Sequence, residues 1–184
     1  MKSILATTLT LFAASSVADI ANDKLPEVAG LYQHNSHLIS AGAPKSEDYA
    51  PLATAGVDVV INVIPHDSQW DKDNGFIADP IAARKAGMMH ITVPFDSENP
   101  VATMEHFIGV MDRLNATEKD VLVHCALNWR ASGMVYFYHA IKNGQVDKSE
   151  LAPWGDFEKS IASSAGLQKF FKGVEAHYHL PASF

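Results

Sequence analysis

The chain has 184 residues, a formal net charge of −7, 47% hydrophobic residues and a single cysteine. This acidic balance argues against nonspecific binding to nucleic acids or anionic membrane surfaces, although it leaves room for one local basic pocket. A single cysteine excludes an internal disulfide, so that residue is either buried and inert or kept for its reactivity.

The first 18 residues have the pattern of a secretory signal peptide. Lys2 supplies a positive charge, an uncharged and largely apolar stretch follows, and small residues end at Ala18. We therefore expect cleavage before Asp19, export across the inner membrane and a periplasmic location; the competing interpretation is a buried N-terminal helix. This cleavage would remove Lys2 and leave 13 of the 14 basic residues beside all 21 acidic residues. The formal net charge would then change from −7 to −8. No later segment is apolar enough for a transmembrane helix, and residues 19–184 fit a single domain.

Predicted strands alternate with predicted helices along most of the chain. In chain order the predicted elements are a strand at 38–40, a helix at 46–55, a strand at 57–64, a helix at 79–86, a strand at 88–93, a helix from 103, a strand at 121–123 and a helix at 131–142. This alternation predicts an α/β fold with a mainly parallel central sheet and helices on both faces. We expect the tail at 147–184 to pack on the domain as helices, and the sequence assigns it no chemistry.

Two chemistry-bearing side chains each follow a predicted strand. Asp96 lies in the loop after one strand, and Cys125 comes directly after the next. Ligands of parallel sheets bind beyond the carboxyl ends of the strands, so we expect both residues in one crevice. A helix start and Arg130 follow Cys125, and both favour its thiolate form. The N–H groups of the same turn can form a nest for a tetrahedral anion.

The segment that contains His124-Cys125, Arg130 and Ser132-Gly133 resembles the signature of the protein tyrosine phosphatase superfamily. Four further stretches are similar to a bacterial phosphatase-like group: residues 38–44, 55–57, 60–63 and 90–94. The resemblance covers most of residues 30–145. It implies hydrolysis of a phosphorylated protein or small molecule through a phosphocysteine on Cys125, with no metal or other cofactor.

The resemblance also implies a role for each residue of the loop. Arg130 would clamp two phosphate oxygens in a bidentate fork, which lysine does poorly. Ser132 would hydrogen-bond the Cys125 sulfur and make it a better leaving group. His124 would order the loop by hydrogen bonding, with a purely structural histidine as the alternative. The N–H groups that would bind the phosphate belong to Ala126, Leu127, Asn128, Trp129, Arg130 and Ala131.

Asp96 is the predicted general acid for the leaving oxygen. It lies 29 residues before Cys125, on a loop one strand earlier, where compact members of the resembled superfamily keep their acid. The ordinary role of a loop aspartate is a cap or a turn, and Glu98 is the substitute candidate for the acid. His66 and Asp67, in an earlier loop, are weaker candidates for the mouth of the site.

The loop departs from the usual phosphatase pattern in its length. Four residues rather than five separate Cys125 from Arg130, so Ala131 stands where the arginine is usual. Asn128 replaces a frequent glycine and tolerates a left-handed backbone better than most residues. The shorter spacing is that of rhodanese-like sulfurtransferases, which carry sulfur as a cysteine persulfide. Two alternatives therefore stay open: such a sulfurtransferase, and an inactive module that binds phosphate or a phosphoprotein.

Two histidine pairs also occur, His34-x-x-His37 and His177-x-His179. Neither pair has the cysteine or carboxylate pattern of a zinc site around it, so both are interpreted as surface histidines. The sequence thus predicts no metal site.

Overall fold

The computed structural model describes residues 19–65, 78–144 and 146–184. The predicted signal peptide at 1–18 and the weaker site candidates His66 and Asp67 lie outside these residues. Within the described ranges, no helix has the length and apolar character needed to cross a membrane.

A five-stranded sheet forms the centre of the fold. Its strands are β1 (Tyr32–Asn35), β2 (Leu38–Ala41), β3 (Val59–Asn62), β4 (Met89–Thr92) and β5 (Val121–His124). They lie in the order β1-β2-β5-β3-β4, with β1 antiparallel to β2 and the other pairs parallel. The mainly parallel sheet predicted from the alternating pattern is confirmed. Strand β1 was not predicted, because its half-buried polar sequence lacks the apolar run of the inner strands.

Six α-helices are described along the chain. They are α1 (Tyr49–Thr54), α2 (Ala78–Lys85), α3 (Pro100–Asn115), α4 (Trp129–Asn143), α5 (Phe157–Ala162) and α6 (Ala165–Tyr178), and short 3-10 turns lie at Asn22–Lys24, Ser46–Asp48 and Lys148–Trp154. Helix α3 begins earlier than the predicted residue 103. Pro100 occupies its first position, where the missing N–H of proline would have no helical acceptor anyway.

Alternating side chains of the strands divide the core into two layers. Ile39, Val60 and Leu122 join the apolar cluster that includes residues of α1 and α2. Val121 and Val123 join the larger cluster that includes residues of α3, α4 and α6. Because successive residues of a strand point to opposite faces, these two clusters cover the two faces of the sheet. Helices therefore lie on both faces, as predicted.

The tail packs against the larger of the two clusters. Trp154, Phe170 and Phe171 are buried there. The end of the chain is also fastened, because the Ser183 N–H donates to the Glu175 carboxylate at 2.8 Å. The start of α6 lines a cavity together with residues of the loop after β4.

Candidate active site

The single cysteine lies at the carboxyl end of a central strand. Cys125 directly follows β5, and its N–H donates to the Ala41 carbonyl of β2 at 3.2 Å. The residue is 1% exposed and belongs to the apolar cluster shared with α3, α4 and α6. The sheet thus delivers the thiol to the edge at which parallel sheets bind their ligands, and largely shields it from water.

The cysteine turn, also called the cysteine loop, comprises residues 125–130 and leads into α4 through a residue with left-handed backbone angles. Asn128 has a φ of 67°, a conformation that asparagine adopts more readily than most residues. Its side-chain amide donates to the Gly30 carbonyl at 2.6 Å. The helix therefore begins at Trp129, before the predicted start at residue 131.

The segment after β2 approaches the cysteine loop closely at a glycine. Gly42 pairs with Leu127 in an isolated antiparallel β-bridge. A Cβ on Gly42 would lie 2.8 Å from the Ala29 carbonyl oxygen and 3.0 Å from that of Ala126, closer than packed atoms tolerate. The backbone of the cysteine loop is thus held in place from outside the loop.

The first turn of α4 offers unpaired N–H groups to an anion. The Ser132 N–H donates to the Asn128 carbonyl at 3.0 Å, which is the first i to i−4 bond of the helix. The N–H groups of Trp129, Arg130 and Ala131 precede that bond and have no acceptor inside the helix. They carry the positive end of the helix dipole, so this turn has the character of the predicted anion nest.

Arg130 and Asp96 line the same cavity, which has a volume of about 300 Å³. The Arg130 guanidinium carbon lies 5.7 Å from the centre of the Phe95 ring. In the part of the chain that the structure describes, Arg130 forms no ion pair. The structure therefore brings these two predicted site residues together and leaves the guanidinium available to an anion. The buried Cys125 is not among the described residues that line this cavity.

Two hydrogen bonds hold the Asp96 carboxylate on its own loop. It accepts from the Asn99 side-chain amide and from the Glu98 N–H, each at 2.8 Å. The bond from Asn99 is the main reason that the pKa of Asp96 lies below its usual value, and the charge of Lys169 adds to the effect. Asp96 is therefore an ionised turn residue in the free protein, whereas a general acid must carry a proton.

Glu98, the substitute acid, lies on the rim of the cavity and is exposed. Its carboxylate pairs with Lys169 of α6. This ion pair joins the loop after β4 to the tail. It gives Glu98 a partner outside the loop and away from the cysteine turn.

The Ser132 hydroxyl is used inside the helix start. It donates to the Asn128 carbonyl at 2.6 Å and accepts from the Trp154 indole N–H at 3.0 Å. A serine hydroxyl has one proton to donate, so this geometry does not form the predicted hydrogen bond to the Cys125 sulfur. Through these two hydrogen bonds, Ser132 instead links the Asn128 backbone to Trp154 of the tail.

The tail supplies one wall of the cavity, which the sequence analysis missed. Ser164, Gly166 and Leu167 line it opposite the loop of Asp96. Ser164 caps α6 by accepting from the Leu167 N–H, so the positive end of a second helix lies at the cavity. A serine placed three residues before an apolar helical position is an N-cap signal, and that pattern was readable in the sequence.

A second contact with the tail lies beside the cysteine turn. The rings of Trp129 and Trp154 stack with centres 5.3 Å apart and planes 10° from parallel. The bulky Trp129, which follows the left-handed residue, therefore packs on the tail.

His124 points to the opposite face of the sheet from Cys125. Its ring is fully buried, and its Nε2 lies 3.8 Å from the Asp79 carboxylate of α2. Burial, with a smaller contribution from His90, lowers the pKa of His124 to about 3, so the ring is neutral. Neither ring nitrogen has a hydrogen-bond partner among the described residues. The loop-ordering hydrogen bond predicted for His124 is therefore not formed.

The surface interpretation of the histidine pairs is wrong for His34. Its side chain is fully buried. One ring nitrogen lies 3.1 Å from the Glu150 carboxylate and the other 2.9 Å from the Ser40 hydroxyl. His37, His177 and His179 are exposed, as predicted.

Solved structures show which proteins this fold and site are related to. A DUF442 protein from Shewanella putrefaciens CN-32, named as a phosphatase, is 33% identical to this chain, with a TM-score of 0.69 over 82% of this chain and 92% of that one. The chain belongs to the DUF442 family of phosphatase-like proteins. No family model and no curated protein matches this chain.

More distant structures share the fold of this chain. TpbA from P. aeruginosa is 19% identical, with a TM-score of 0.57 over 90% of this chain and 96% of its own. A cysteine-to-serine variant of TpbA in complex with phosphotyrosine is 16% identical, with a TM-score of 0.53 over 91% of this chain and 99% of that one. The fold is thus that of the protein tyrosine phosphatase-like superfamily, which the sequence resemblance predicted.

Proposed function

We propose that this DUF442 protein is a cysteine-dependent phosphatase that hydrolyses phosphomonoesters. One observation carries the proposal: Cys125 and Arg130 stand at the two ends of a single turn that is held by contacts from outside it. The turn also ends at a helix start, whose first N–H groups have no acceptor within the helix. Phosphoryl transfer through a covalent intermediate requires a nucleophile and an anion ligand in such fixed relation.

The proposed reaction has two steps. In the first, the Cys125 thiolate attacks phosphorus, a P–S bond forms, and the P–O bond to the leaving group breaks. In the second, water attacks phosphorus, the P–S bond breaks, and phosphate leaves with the thiolate restored. Arg130 and the N–H groups of residues 129–131 stabilise the negative charge on the equatorial oxygens in both steps.

Asp96 would donate a proton to the leaving oxygen in the first step. The carboxylate is ionised in the free protein, so the proton must be taken up when substrate binds. A bound phosphate places negative charge beside the carboxylate, and a like charge favours its neutral form. We infer that bound substrate weakens the hydrogen bonds that the Asn99 side-chain amide and the Glu98 N–H donate to this carboxylate.

The depth of the thiol sets a further requirement. Because Cys125 is 1% exposed and the cavity is lined by Arg130, we infer that the phosphoryl group displaces the turn slightly to reach the sulfur. Contacts with the tail and with Gly42 would limit that movement. Substrates in which the group next to the phosphate is narrow should therefore react best.

The test is phosphate release from p-nitrophenyl phosphate by the full chain and by two variants. Cys125→Ser should abolish turnover. Arg130→Lys keeps the charge but loses the bidentate fork, so its kcat should fall by about 100-fold or more. Absence of turnover from folded protein with a free thiol between pH 5 and 8, or full activity in Cys125→Ser, would contradict the proposal.

The proposed substrates are phosphorylated proteins or small phosphomonoesters. A neighbour of the same fold binds phosphotyrosine, which makes phosphotyrosine peptides the first substrates to compare with phosphoserine peptides. A ratio of kcat/KM values near one would show that the site does not distinguish phosphotyrosine from phosphoserine. We also propose that the enzyme is exported after cleavage at residue 18, and N-terminal sequencing of the protein from a periplasmic extract tests that step.

Sulfur transfer is the second candidate, and the length of the turn favours it. Four residues separate Cys125 from Arg130, so the ring of N–H groups is smaller than in the usual phosphatase loop. Incubation with thiosulfate followed by mass spectrometry distinguishes the two functions. A gain of one sulfur atom on Cys125, with transfer to cyanide and no phosphatase turnover, would replace the first proposal.

A further inference from the structure

Three metal-ligating side chains meet on the face of the sheet opposite Cys125. Asp79 lies on α2, His90 on β4 and His124 at the end of β5. The potential ligand atoms of the three residues all lie within 4.8 Å of one another. They come from three separate elements, so their meeting is a product of the tertiary fold rather than of a local sequence motif.

The imidazoles of this cluster lack the partners that buried polar groups usually have. Both ring nitrogens of His124 and Nε2 of His90 are buried without a hydrogen bond in the described part of the chain. A buried polar atom without a partner costs about 1–3 kcal/mol, and native structures normally provide a partner, a water or an ion. Two imidazoles with unpartnered nitrogens beside one carboxylate point to a bound group.

A second group of the same residue types provides an internal comparison. His34, His139 and Glu150 also bring their ligand atoms together. There, however, the histidine nitrogens lie 2.8–3.1 Å from the Glu150 carboxylate, and the other nitrogen of His34 meets Ser40. That group is satisfied by its own hydrogen bonds. The imidazoles of His90 and His124, by contrast, keep ring nitrogens without a partner among the described residues.

We propose that Asp79, His90 and His124 bind a divalent transition-metal ion of the Zn²⁺ type. His124 Nε2 and Asp79 Oδ2 are 3.8 Å apart, and all the potential ligand atoms lie within 4.8 Å of one another. Two ligands of a tetrahedral zinc ion with bonds of about 2.0–2.1 Å lie about 3.3 Å apart. Small side-chain movements would therefore close the site, with water as the fourth ligand.

The charge state and surroundings of the cluster suit this ion. Burial lowers the pKa of both His90 and His124, so both rings are neutral and their nitrogen lone pairs are available. Asp79 supplies the negative charge, and the Asn62 amide donates to its Oδ2 at 3.3 Å, which orients the carboxylate as an outer-shell partner does. Imidazole with one carboxylate is a donor set that zinc accepts.

The ion would have a structural role separate from the proposed hydrolysis. It would join α2, β4 and the end of β5, and so fix the strand that carries Cys125. The thiol itself lies on the other face of the sheet and would not be a ligand. Experiments can therefore contradict the metal site without contradicting the phosphatase activity, and the phosphatase activity without contradicting the metal site.

The test uses the full chain with Cys125→Ser, so that the thiol cannot bind the probe metal. Zn²⁺ is titrated against a chromophoric chelator after removal of metal, and Co²⁺ is added to a second sample for its visible spectrum. We expect one Zn²⁺ per chain, a rise in Tm with Zn²⁺, and a tetrahedral Co²⁺ spectrum without sulfur charge transfer. Added separately to this background, Asp79→Asn and His90→Gln should each weaken Zn²⁺ binding at least about tenfold.

The matched control is His139→Gln, which alters the other histidine–glutamate group and should leave Zn²⁺ affinity unchanged. Circular dichroism verifies that each variant is folded, and the isosteric Asp79→Asn is the variant expected to perturb the core least. Failure of folded Cys125→Ser protein to bind one Zn²⁺ would overturn the proposal. So would Zn²⁺ affinities in Asp79→Asn and His90→Gln equal to that of the Cys125→Ser parent; the buried histidines would then have water as their hydrogen-bond partner.

Discussion

Asp96 must change its protonation state if it is to act as the proposed acid. Asn99 and Glu98 stabilise its carboxylate form in the free protein. The sequence predicted the position of this aspartate on the loop after β4, and also the turn role that a loop aspartate ordinarily has. The hydrogen bonds that decide between the two depend on backbone angles within the loop, which residue identity does not specify.

Leaving groups of different basicity test the role of Asp96. Asp96→Asn removes the proton donor, so kcat should fall by about 100-fold or more for phenyl phosphate, whose leaving oxygen needs a proton. The loss should be much smaller for p-nitrophenyl phosphate, whose leaving group is stable as an anion. Steady-state kinetics on both substrates provide the measurement.

Glu98→Gln is the matched control for that experiment. It breaks the pair with Lys169 but removes no proposed proton donor, so kcat for both substrates should stay within about twofold. A larger loss on phenyl phosphate in Glu98→Gln than in Asp96→Asn would transfer the acid role to Glu98.

At the scale of the elements, the cysteine turn depends on chain segments far away in sequence. Periodicity predicted the inner strands and the helix after Cys125, because apolar runs and helical spacing are local signals. It did not predict that Gly30 and Gly42 would lie against the turn, nor that the helix would begin at Trp129. Those features follow from close tertiary approach and from the left-handed Asn128.

Gly42→Ala tests whether the outside contact fixes the turn. The added methyl group would overlap the carbonyl oxygens of Ala29 and Ala126, so the free energy of unfolding should fall by about 1–3 kcal/mol. Phosphatase activity should fall as well, because Ala126 belongs to the turn. Urea denaturation and kcat/KM together provide the measurement.

Gly109→Ala offers the comparison for that change. Gly109 lies within α3, and a Cβ there would meet nothing within 4 Å. Alanine in a helix interior stabilises by about 0.5–1 kcal/mol relative to glycine, so the two substitutions should have opposite signs. Destabilisation of equal size in both would show that Gly42 has no special contact.

At the scale of the whole molecule, the tail is part of the site. The sequence predicted that residues 147–184 would pack on the domain as helices, because this segment holds large aromatic residues such as Trp154, Phe170 and Phe171. It gave no indication that the start of α6 would meet the loop of Asp96. That contact depends on tertiary packing between segments that are far apart in the sequence.

Stability of the whole domain should depend on pH through its buried histidines. Burial lowers the pKa of His34, His90 and His124 in the folded protein. The unfolded chain therefore binds more protons below about pH 6.5. The free energy of unfolding should then fall as pH decreases from 7 to 5, with a slope of up to about 1.4 kcal/mol per pH unit from His124.

Urea denaturation at several pH values measures this slope in metal-free protein. His90→Gln removes one of the titrating groups and should flatten the curve. His177→Gln, at an exposed position, should leave it unchanged. A flat dependence in the parent protein would show that these histidines keep ordinary proton affinities in the fold.

The pleat of β5 separates two chemistries that would interfere with each other. His124 and Cys125 are neighbours in the chain, yet the strand sends the imidazole to one side and the sulfur to the other. A register shift of one residue would exchange them and place a thiolate among Asp79 and His90. Such a sulfur would be a strong metal ligand and no longer a free nucleophile. The face of the sheet on which the cysteine lies thus decides whether its sulfur is a free nucleophile or a metal ligand.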